Sequence, residues 1–291
     1  MSTIYYLYAQ PLSGQASVNS ELIVEENRMI STEERAQLKS NTRGKLILDR
    51  LKTETFNQET ERLLANHPYL KAAEKGLLTI GQRRAFAQEQ YAIQLSDATS
   101  FARLAGHSEF TPSSLSNVKT PEPIITPADG STDLFQFLLG GEVFASSLLL
   151  DYATGVGLDE RDLSSYQPCH KAQLYPTYWS QMSLSNKRAA GAAACAVNFT
   201  AWGGMCHRLY EALRKTELNY GYTSDEDEID SGLAFVNFFA TPIDGLDQMA
   251  AAIIEEENAS YEDIVEHVKM LQKYEVMFWD SIFETGEGVK L

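Results

Sequence analysis

The chain has 291 residues and carries 40 acidic side chains against 24 basic ones, a net charge of −16. This charge argues against nucleic acid and anionic membranes as partners, because binding to both depends on lysine and arginine. A hydrophobic fraction of 44% is ample for a buried core, and the three cysteines lack the C-x-x-C spacing of metal or redox sites. We expect a cytoplasmic protein without a signal peptide or a membrane span.

In chain order, two short runs rich in β-branched and aromatic residues, 4–8 and 22–24, predict a small hairpin or arm. A capping box at Ser31 then opens a helical region that runs to about residue 66. Helical patterns follow over 67–76, 79–105, 134–156, 186–215, 233–239 and 260–283, with a proline-rich loop over 106–131. The sequence therefore predicts an all-α bundle with a short β-rich extension at its N-terminus.

The last predicted helix places one carboxylate, Glu275, among large apolar and aromatic side chains that include Tyr274, Phe278 and Trp279. Burying an unpaired charge costs several kcal/mol, roughly 1 to 3 on mutational scales and more if it is ionised. Glu275 is therefore the first candidate for catalysis or ligand binding. In the alternative interpretation, Glu275 faces solvent beside Lys273 and its neighbours are ordinary core residues.

The predicted helix over 186–215 begins with small residues that let a neighbouring backbone come close. Its apolar face also carries an amide, Asn198, four residues before Trp202. A buried amide must find hydrogen-bond partners, so we expect Asn198 to contact Glu275, a ligand or neighbouring backbone. The pair Gly203-Gly204 costs helix stability, which indicates either close helix packing or room for a ligand.

Several short motifs follow one another along the chain: His67-Pro68-Tyr69-Leu70, Gly157-Leu158, Tyr175-x-x-Tyr178-Trp179, Trp202-Gly203 and Tyr274-Glu275-x-x-Phe278-Trp279. Together they resemble the TenA family of thiaminase-II-like proteins, in the haem-oxygenase-like superfamily that also holds PqqC and the haem-oxygenase-like di-iron oxidases. The resemblance covers roughly residues 60 to 285. It implies a haem-oxygenase-like helical bundle around a central pocket, commonly as a homodimer or tetramer. We therefore divide the chain into 1–58, an N-terminal extension with the first helix, and 59–291, a TenA/PqqC-like helical domain.

The resemblance also implies which residues form the site. The nucleophilic cysteine of TenA-type thiaminases, placed two residues before the Trp-Gly pair, is replaced here by Thr200. Threonine without an activating base is a poor nucleophile, so thiamine hydrolysis by that mechanism is not expected. The family's carboxylate on the helix near residue 90 falls at Gln90, with Glu89 beside it, whereas Glu275 matches the family directly. We expect Glu275 to be catalytic and a further set to bind substrate: Gln90, Glu89, Tyr91, Asn198, Thr200, Trp202, Tyr274 and Phe278.

The leading hypothesis is a small-molecule enzyme, a hydrolase or oxidoreductase, or an enzyme-derived binder of the TenA/PqqC type. Its ligand, a compact heterocycle, would lie between Trp202, Phe278 and Tyr91 with Glu275 holding or protonating it. No cofactor is expected in that case.

Two other hypotheses stay open. One is a non-catalytic interaction protein whose pocket has closed. The other is a non-haem iron oxidase with rearranged ligands, which requires Glu142, Asp263 and His267 to converge.

Overall fold

The computed structural model describes residues 42–122, 132–222 and 230–286. These residues form α-helices and short 3₁₀ turns, and no strand occurs among them. The helices are α1 (Arg43–Thr53), α2 (Thr55–Ala65), α3 (Pro68–Glu74), α4 (Ile80–Leu104), α5 (Leu134–Gly155), α6 (Glu160–Ser165), α7 (Leu174–Leu184), α8 (Arg188–Leu213), α9 (Ala234–Ala240), α10 (Leu246–Glu256) and α11 (Tyr261–Gly286). The predicted all-α class is thus confirmed. The N-terminal runs 4–8 and 22–24 and the capping box at Ser31 lie outside the described residues.

Local sequence signals set the start of several helices. At α4, the Thr79 hydroxyl accepts a hydrogen bond from the Gln82 amide, and the Gln82 side chain accepts one from the Thr79 amide. At α5, the Asp133 carboxylate accepts a hydrogen bond from the backbone of Gln136. α3 begins with Pro68, whose missing N–H is not needed in the first turn of a helix. These caps satisfy backbone donors that the helices themselves leave free.

α4, α8 and α11 form the centre of the bundle, and α11 packs against both α4 and α8. α4 contacts α5, α7 and α11, while α8 contacts α9, α10 and α11. Aromatic rings join the three helices: the Phe86 and Trp202 rings stack at 6.3 Å, and Trp279 lies 6.0 Å from Phe86 and 5.6 Å from Trp202. Aromatic pairs at such separations add to the stabilisation from apolar burial. The site described below lies beside this cluster.

The small residues at the start of α8 allow close packing, as predicted. A methyl group added at Gly191 would come within 3.2 Å of the Phe135 ring and 3.3 Å of the Trp179 ring. Ala192, Ala193 and Ala194 are fully buried. α8 therefore runs close to α5 and α7 at this end of the bundle.

α1 is part of the packed bundle rather than a separate arm. It contacts α10, where the Gly44 amide donates a 2.9 Å hydrogen bond to the Glu255 carboxylate. The expected boundary between residues 58 and 59 falls within α2. The division of the chain into two parts stays a prediction.

α5 is long and apolar enough to cross a membrane by length and composition alone. The sequence-based expectation overlooked this run. In the bundle, more than half of its most apolar stretch is buried. Such burial is typical of a core helix, which favours the expectation that the chain does not span a membrane.

Candidate functional site

Glu275 is buried in the centre of the bundle and does not face solvent. Its side chain is 3% exposed. One carboxylate oxygen, Oε1, accepts a 2.8 Å hydrogen bond from the Trp279 indole, and the other, Oε2, accepts one of 3.0 Å from the Asn198 amide. Burial raises the pKa of Glu275, and the two hydrogen bonds oppose that rise because they favour the ionised form. The carboxylate is held in one orientation from both sides.

Asn198 links α8 to two other helices. Besides donating to Glu275, its amide nitrogen lies 3.4 Å from the Tyr175 hydroxyl on α7, and its oxygen accepts a 3.4 Å hydrogen bond from Gln272 on α11. The partners of this amide are therefore side chains. Of the expected contacts, the one with Glu275 is present.

Glu275 lines a small cavity, here called the inner chamber, with a volume of about 30 Å³. Its wall comes from α4, α5, α7, α8, α9 and α11, through Gln90, Ile93, Gln94, Asp97, Glu142, Tyr175, Phe199, Trp202, Phe239, Glu275 and Phe278. A buried water needs roughly 10–15 Å³ of such volume. The inner chamber thus has room for a group the size of one or two waters, and a complete heterocycle is too large for it.

Three carboxyl groups share this chamber: Asp97 on α4, Glu142 on α5 and Glu275 on α11. Burial raises the pKa of Glu142 to about 8. Burial also raises the pKa of Asp97 well above its usual range, and the neighbouring Glu142 and Glu275 add to the rise. Like charges in a dry site favour the protonated form, so these groups hold protons at pH values where a free carboxyl has lost them.

A second cavity of about 710 Å³, here called the outer chamber, lies between α8 and the segment that joins α9 to α10. From α8 it is lined by Thr200, Gly203, Gly204 and His207. The two chambers share Glu142, Phe199, Trp202 and Phe239 as lining residues. They therefore adjoin, with three aromatic rings and one carboxyl group at the junction.

The structure separates the residues expected near position 90. Gln90 lines the inner chamber, but Glu89 does not. The Glu89 carboxylate instead accepts hydrogen bonds from the Tyr166 hydroxyl, the Cys169 amide and the Gln173 side chain, at 2.7–2.9 Å. It anchors the segment between α6 and α7.

Tyr91 is also outside both chambers, and its hydroxyl donates to Glu160. The expected ligand position between Trp202, Phe278 and Tyr91 is therefore corrected: Trp202 and Phe278 line the inner chamber and Tyr91 does not. Consecutive residues of a helix point about 100° apart, and this turn directs Tyr91 toward Glu160 on α6 and away from the chamber that Gln90 lines.

Two further expected residues lie away from Glu275. Thr200 is an exposed residue of α8 and lines the outer chamber. Tyr274 packs its ring 5.6 Å from that of Tyr178, outside both chambers. Neither side chain is placed to act together with the Glu275 carboxylate.

The two buried thiols near the carboxyl groups of the inner chamber are not activated as nucleophiles. Cys195 and Cys206 are buried, and burial raises the pKa of both thiols. Neighbouring carboxyl groups raise them further, Asp97 and Glu142 in the first case and Glu275 in the second. Thiols with raised pKa values are poor nucleophiles because the reactive form is the thiolate.

The residues required by the iron oxidase hypothesis do not converge. Glu142 lines both chambers, whereas Asp263 is exposed at the start of α11 and accepts hydrogen bonds from Ser260. His267 contacts the Tyr178 hydroxyl at 2.8 Å. Within residues 42–122, 132–222 and 230–286, no group of three or more His, Cys, Asp or Glu side chains is arranged to hold a metal ion.

Sequence reasoning missed Asp97 and Gln94 as site residues. Gln90, Ile93, Gln94 and Asp97 are spaced at i, i+3, i+4 and i+7, the spacing of one face of a helix. Polar residues on such a face of a long helix were the signal that could have identified them. Glu142 was considered only as a metal ligand.

Comparison with known proteins agrees with this architecture. A structure described as a TenA homologue from P. horikoshii OT3 matches with a TM-score of 0.53 and 11% identity, over 82% of this chain and 99% of that one. A domain of unknown function with a heme oxygenase-like fold from Shewanella denitrificans OS217 matches with a TM-score of 0.51 and 14% identity, over 88% of this chain and 94% of that one. At these identities the likeness shows the fold alone.

Among curated proteins, no match to this chain is found. The sequence model described as the TENA/THI-4/PQQC family matches residues 57–285, which include every helix from α3 to α10 and all the residues that line the two chambers. The chain therefore belongs to the TENA/THI-4/PQQC family.

Proposed function

We propose that this protein is a small-molecule enzyme of the TenA type that holds the polar end of an organic ligand in the inner chamber. The proposal is supported by the buried Glu275, which lies on the wall of that chamber and whose two oxygens accept hydrogen bonds from Asn198 and Trp279 behind it. A buried carboxyl group with this degree of orientation is typical of a site that binds or protonates a ligand.

The two chambers differ in size, and each suits a different part of the ligand. About 30 Å³ beside Glu275 suits a single polar group, while about 710 Å³ on the outer side suits a ring system with its substituents. Trp202 and Phe239 line both chambers and offer flat apolar surfaces to such a ring. The ligand is thus a heterocycle or other apolar body that carries one small polar group.

The chemistry that these residues support is general acid–base catalysis. Glu142, with a pKa of about 8, holds a proton near neutral pH and can give it to a heteroatom of the ligand. Glu275, whose pKa is also raised by burial, is fixed in place by Asn198 and Trp279 and can exchange a proton with the same heteroatom. Thr200 and the buried thiols offer no activated nucleophile, so the proposal does not include the cysteine mechanism of thiaminases.

Native mass spectrometry of the protein as purified from cells tests this proposal. We expect a stoichiometric adduct of a few hundred daltons on the wild type, and its loss in Glu275→Gln, which keeps the size of the side chain. Glu89→Gln is the matched control, because Glu89 is an equally buried carboxylate outside both chambers. It should retain the adduct.

The same spectra test assembly, since the expected homodimer or tetramer appears as a multiple of the chain mass of 32.5 kDa. If the wild type carries no adduct, and a library of small heterocycles leaves its melting temperature unchanged, the proposal is wrong. The non-catalytic interaction protein would then become the better hypothesis.

A further inference from the structure

The inner chamber concentrates acidic groups without a basic partner. Asp97, Glu142 and Glu275 line it, and its wall, as far as the described residues form it, contains neither lysine nor arginine. Such a lining disfavours an anionic ligand, because no positive group offsets its charge and any carboxyl group that ionises beside it repels it strongly. It favours a ligand that brings positive charge.

Asp97 supplies an independent sign that a partner is missing. Its side chain is 6% exposed, and its Oδ1 atom has no hydrogen-bond partner within the described part of the chain. Glu275, by contrast, has a donor on each oxygen. A buried acceptor without a donor is costly, and native structures contain few of them. A ligand with N–H donors would complete the hydrogen bonding of Asp97.

We propose that the inner chamber binds the cationic nitrogen of an amine or amidine between Asp97 and Glu142, with the apolar body of the ligand in the outer chamber. This inference rests on the proposed function, because it uses the same two chambers as the ligand site. It adds the charge and the donor character of the group that enters the inner chamber.

The shape and lining of the site match such a ligand. An ammonium or amidinium group offers two or more N–H donors in the space of one or two waters, which is what about 30 Å³ allows. Phe199, Trp202 and Phe239 line the junction through which the cation passes. Aromatic faces attract a desolvated cation, so these rings support the same ligand class.

When a cation binds in the inner chamber, we expect Glu142 to release a proton. The groups that face Glu142 are Asp97 on α4, Glu275 on α11 and the Cys195 thiol on α8, all without positive charge. With a pKa of about 8, Glu142 is mostly protonated at pH 7 when the chamber is empty. A cation beside it favours the ionised carboxylate, so we expect up to one proton to be released for each ligand bound at pH 7.

Three matched probes separate charge from shape in isothermal titration calorimetry at pH 7. They are 2-phenylethylamine, which is protonated, 2-phenylethanol, which is neutral, and phenylacetate, which is anionic. On the wild-type chain we expect the amine to bind at least tenfold more tightly than the alcohol, and phenylacetate not to bind. The heat of amine binding should differ between phosphate and Tris buffers by the amount that proton release predicts.

Substitutions then test which residues cause the preference for the amine. Asp97→Asn and Glu142→Gln keep side-chain size, and each should weaken amine binding at least tenfold while changing alcohol binding less than twofold. Glu89→Gln should change neither. If one of the two variants does not fold, the other variant and the proton release by the wild type still decide the question.

The inference is overturned if the wild type binds the amine and the alcohol with equal affinity. It is also overturned if Asp97→Asn and Glu142→Gln weaken the binding of both probes to the same extent. If all three probes bind alike and Glu275→Gln abolishes their binding, the proposed function stands and only the cation preference fails. If no probe binds, the cation inference is overturned, and the adduct measured by native mass spectrometry decides the proposed function separately.

Discussion

The Asn198 amide on α8 donates a 3.0 Å hydrogen bond to the Glu275 carboxylate on α11, in a part of the bundle where both side chains are almost fully buried. The same amide nitrogen lies 3.4 Å from the Tyr175 hydroxyl on α7. One uncharged side chain therefore joins three helices and fixes the direction of a buried carboxyl group. A polar network of this kind stabilises the fold only while each member keeps its partners.

Asn198→Ala is expected to destabilise the protein by about 1–3 kcal/mol, because it leaves Glu275 Oε2 buried without a donor. Urea unfolding followed by circular dichroism measures the change. Asn66→Ala is the control, since that exposed amide donates only to the backbone of its own helix, at Arg62. An effect of Asn198→Ala no larger than that of the control would show that Glu275 has another donor.

Stability is expected to fall as the pH rises from about 4.5 to about 8. Folding raises the pKa of Glu142 from 4.5 to about 8, so the folded state keeps a proton that the unfolded state has released in this range. Because the folded state binds more protons, its stability decreases with pH until the folded pKa is passed. At about 1.4 kcal/mol per pKa unit the effect amounts to several kcal/mol. The raised pKa values of Asp97 and Glu275 act in the same direction.

Urea unfolding at pH 5, 6, 7 and 8 tests this dependence. Glu142→Gln removes one of the three titrating groups and should make the slope shallower, with the largest gain in stability at pH 8. Glu59→Gln, on the exposed side of α2, should leave the slope unchanged. A wild-type profile that is flat between pH 5 and 8 would contradict the prediction.

The long helices could be predicted from the sequence because their signals are local. The predicted ranges 79–105, 134–156 and 186–215 correspond to α4, α5 and α8 to within a few residues. Neither α7 nor α10 was predicted as a helix. α7 contains Pro176 in its first turn, which reads as a helix breaker although a proline is tolerated there. α10 follows Pro242 and Gly245, two residue types that are typical of loops and do not indicate that a helix begins.

The candidate site was predictable only in part, for a physical reason. Glu275 could be identified because one charge stands out on an apolar helix face. Asp97 was harder to identify: it shares one face of α4 with Gln90 and Gln94, but α4 is buried on most of its sides and shows no clear overall periodicity that would mark this face. Which helix faces meet at a cavity is decided by tertiary packing. That is why Gln90 lines the chamber while Glu89 and Tyr91 do not.

The two glycines of α8 at the outer chamber are expected to respond differently to alanine. A methyl group at Gly204 meets nothing within 4 Å, so Gly204→Ala should stabilise the protein by about 0.5–1 kcal/mol through the helix backbone. At Gly203 the same group would lie 3.2 Å from the Phe239 carbonyl oxygen, a backbone atom of α9. Gly203→Ala should therefore gain less or lose stability. Thermal melting of both variants measures the difference, and equal gains would contradict the close approach of α9.

Loss of the Glu89 carboxylate is expected to destabilise the fold without affecting the ligand. Glu89→Ala removes the acceptor of hydrogen bonds from Tyr166, Cys169 and Gln173. Hydrogen bonds to a charged group contribute about 1.5–3 kcal/mol each, and the losses are not additive, so we expect about 2–5 kcal/mol. Hydrogen exchange should show faster opening at residues 166–173. If exchange there is unchanged, Glu89 does not anchor the segment between α6 and α7.

The three cysteines are expected to differ in their reaction with a thiol reagent such as 5,5′-dithiobis(2-nitrobenzoate). Cys169 is partly exposed, whereas Cys195 and Cys206 are buried and have raised pKa values. At pH 8 the native protein should show one fast equivalent, and urea should release the other two, because a reactive thiolate requires both access and ionisation. Cys169→Ser should remove the fast phase. Two or three fast equivalents in the wild type would instead mean that α8 opens readily to solvent, and a thiol beside Glu275 would then be available for chemistry.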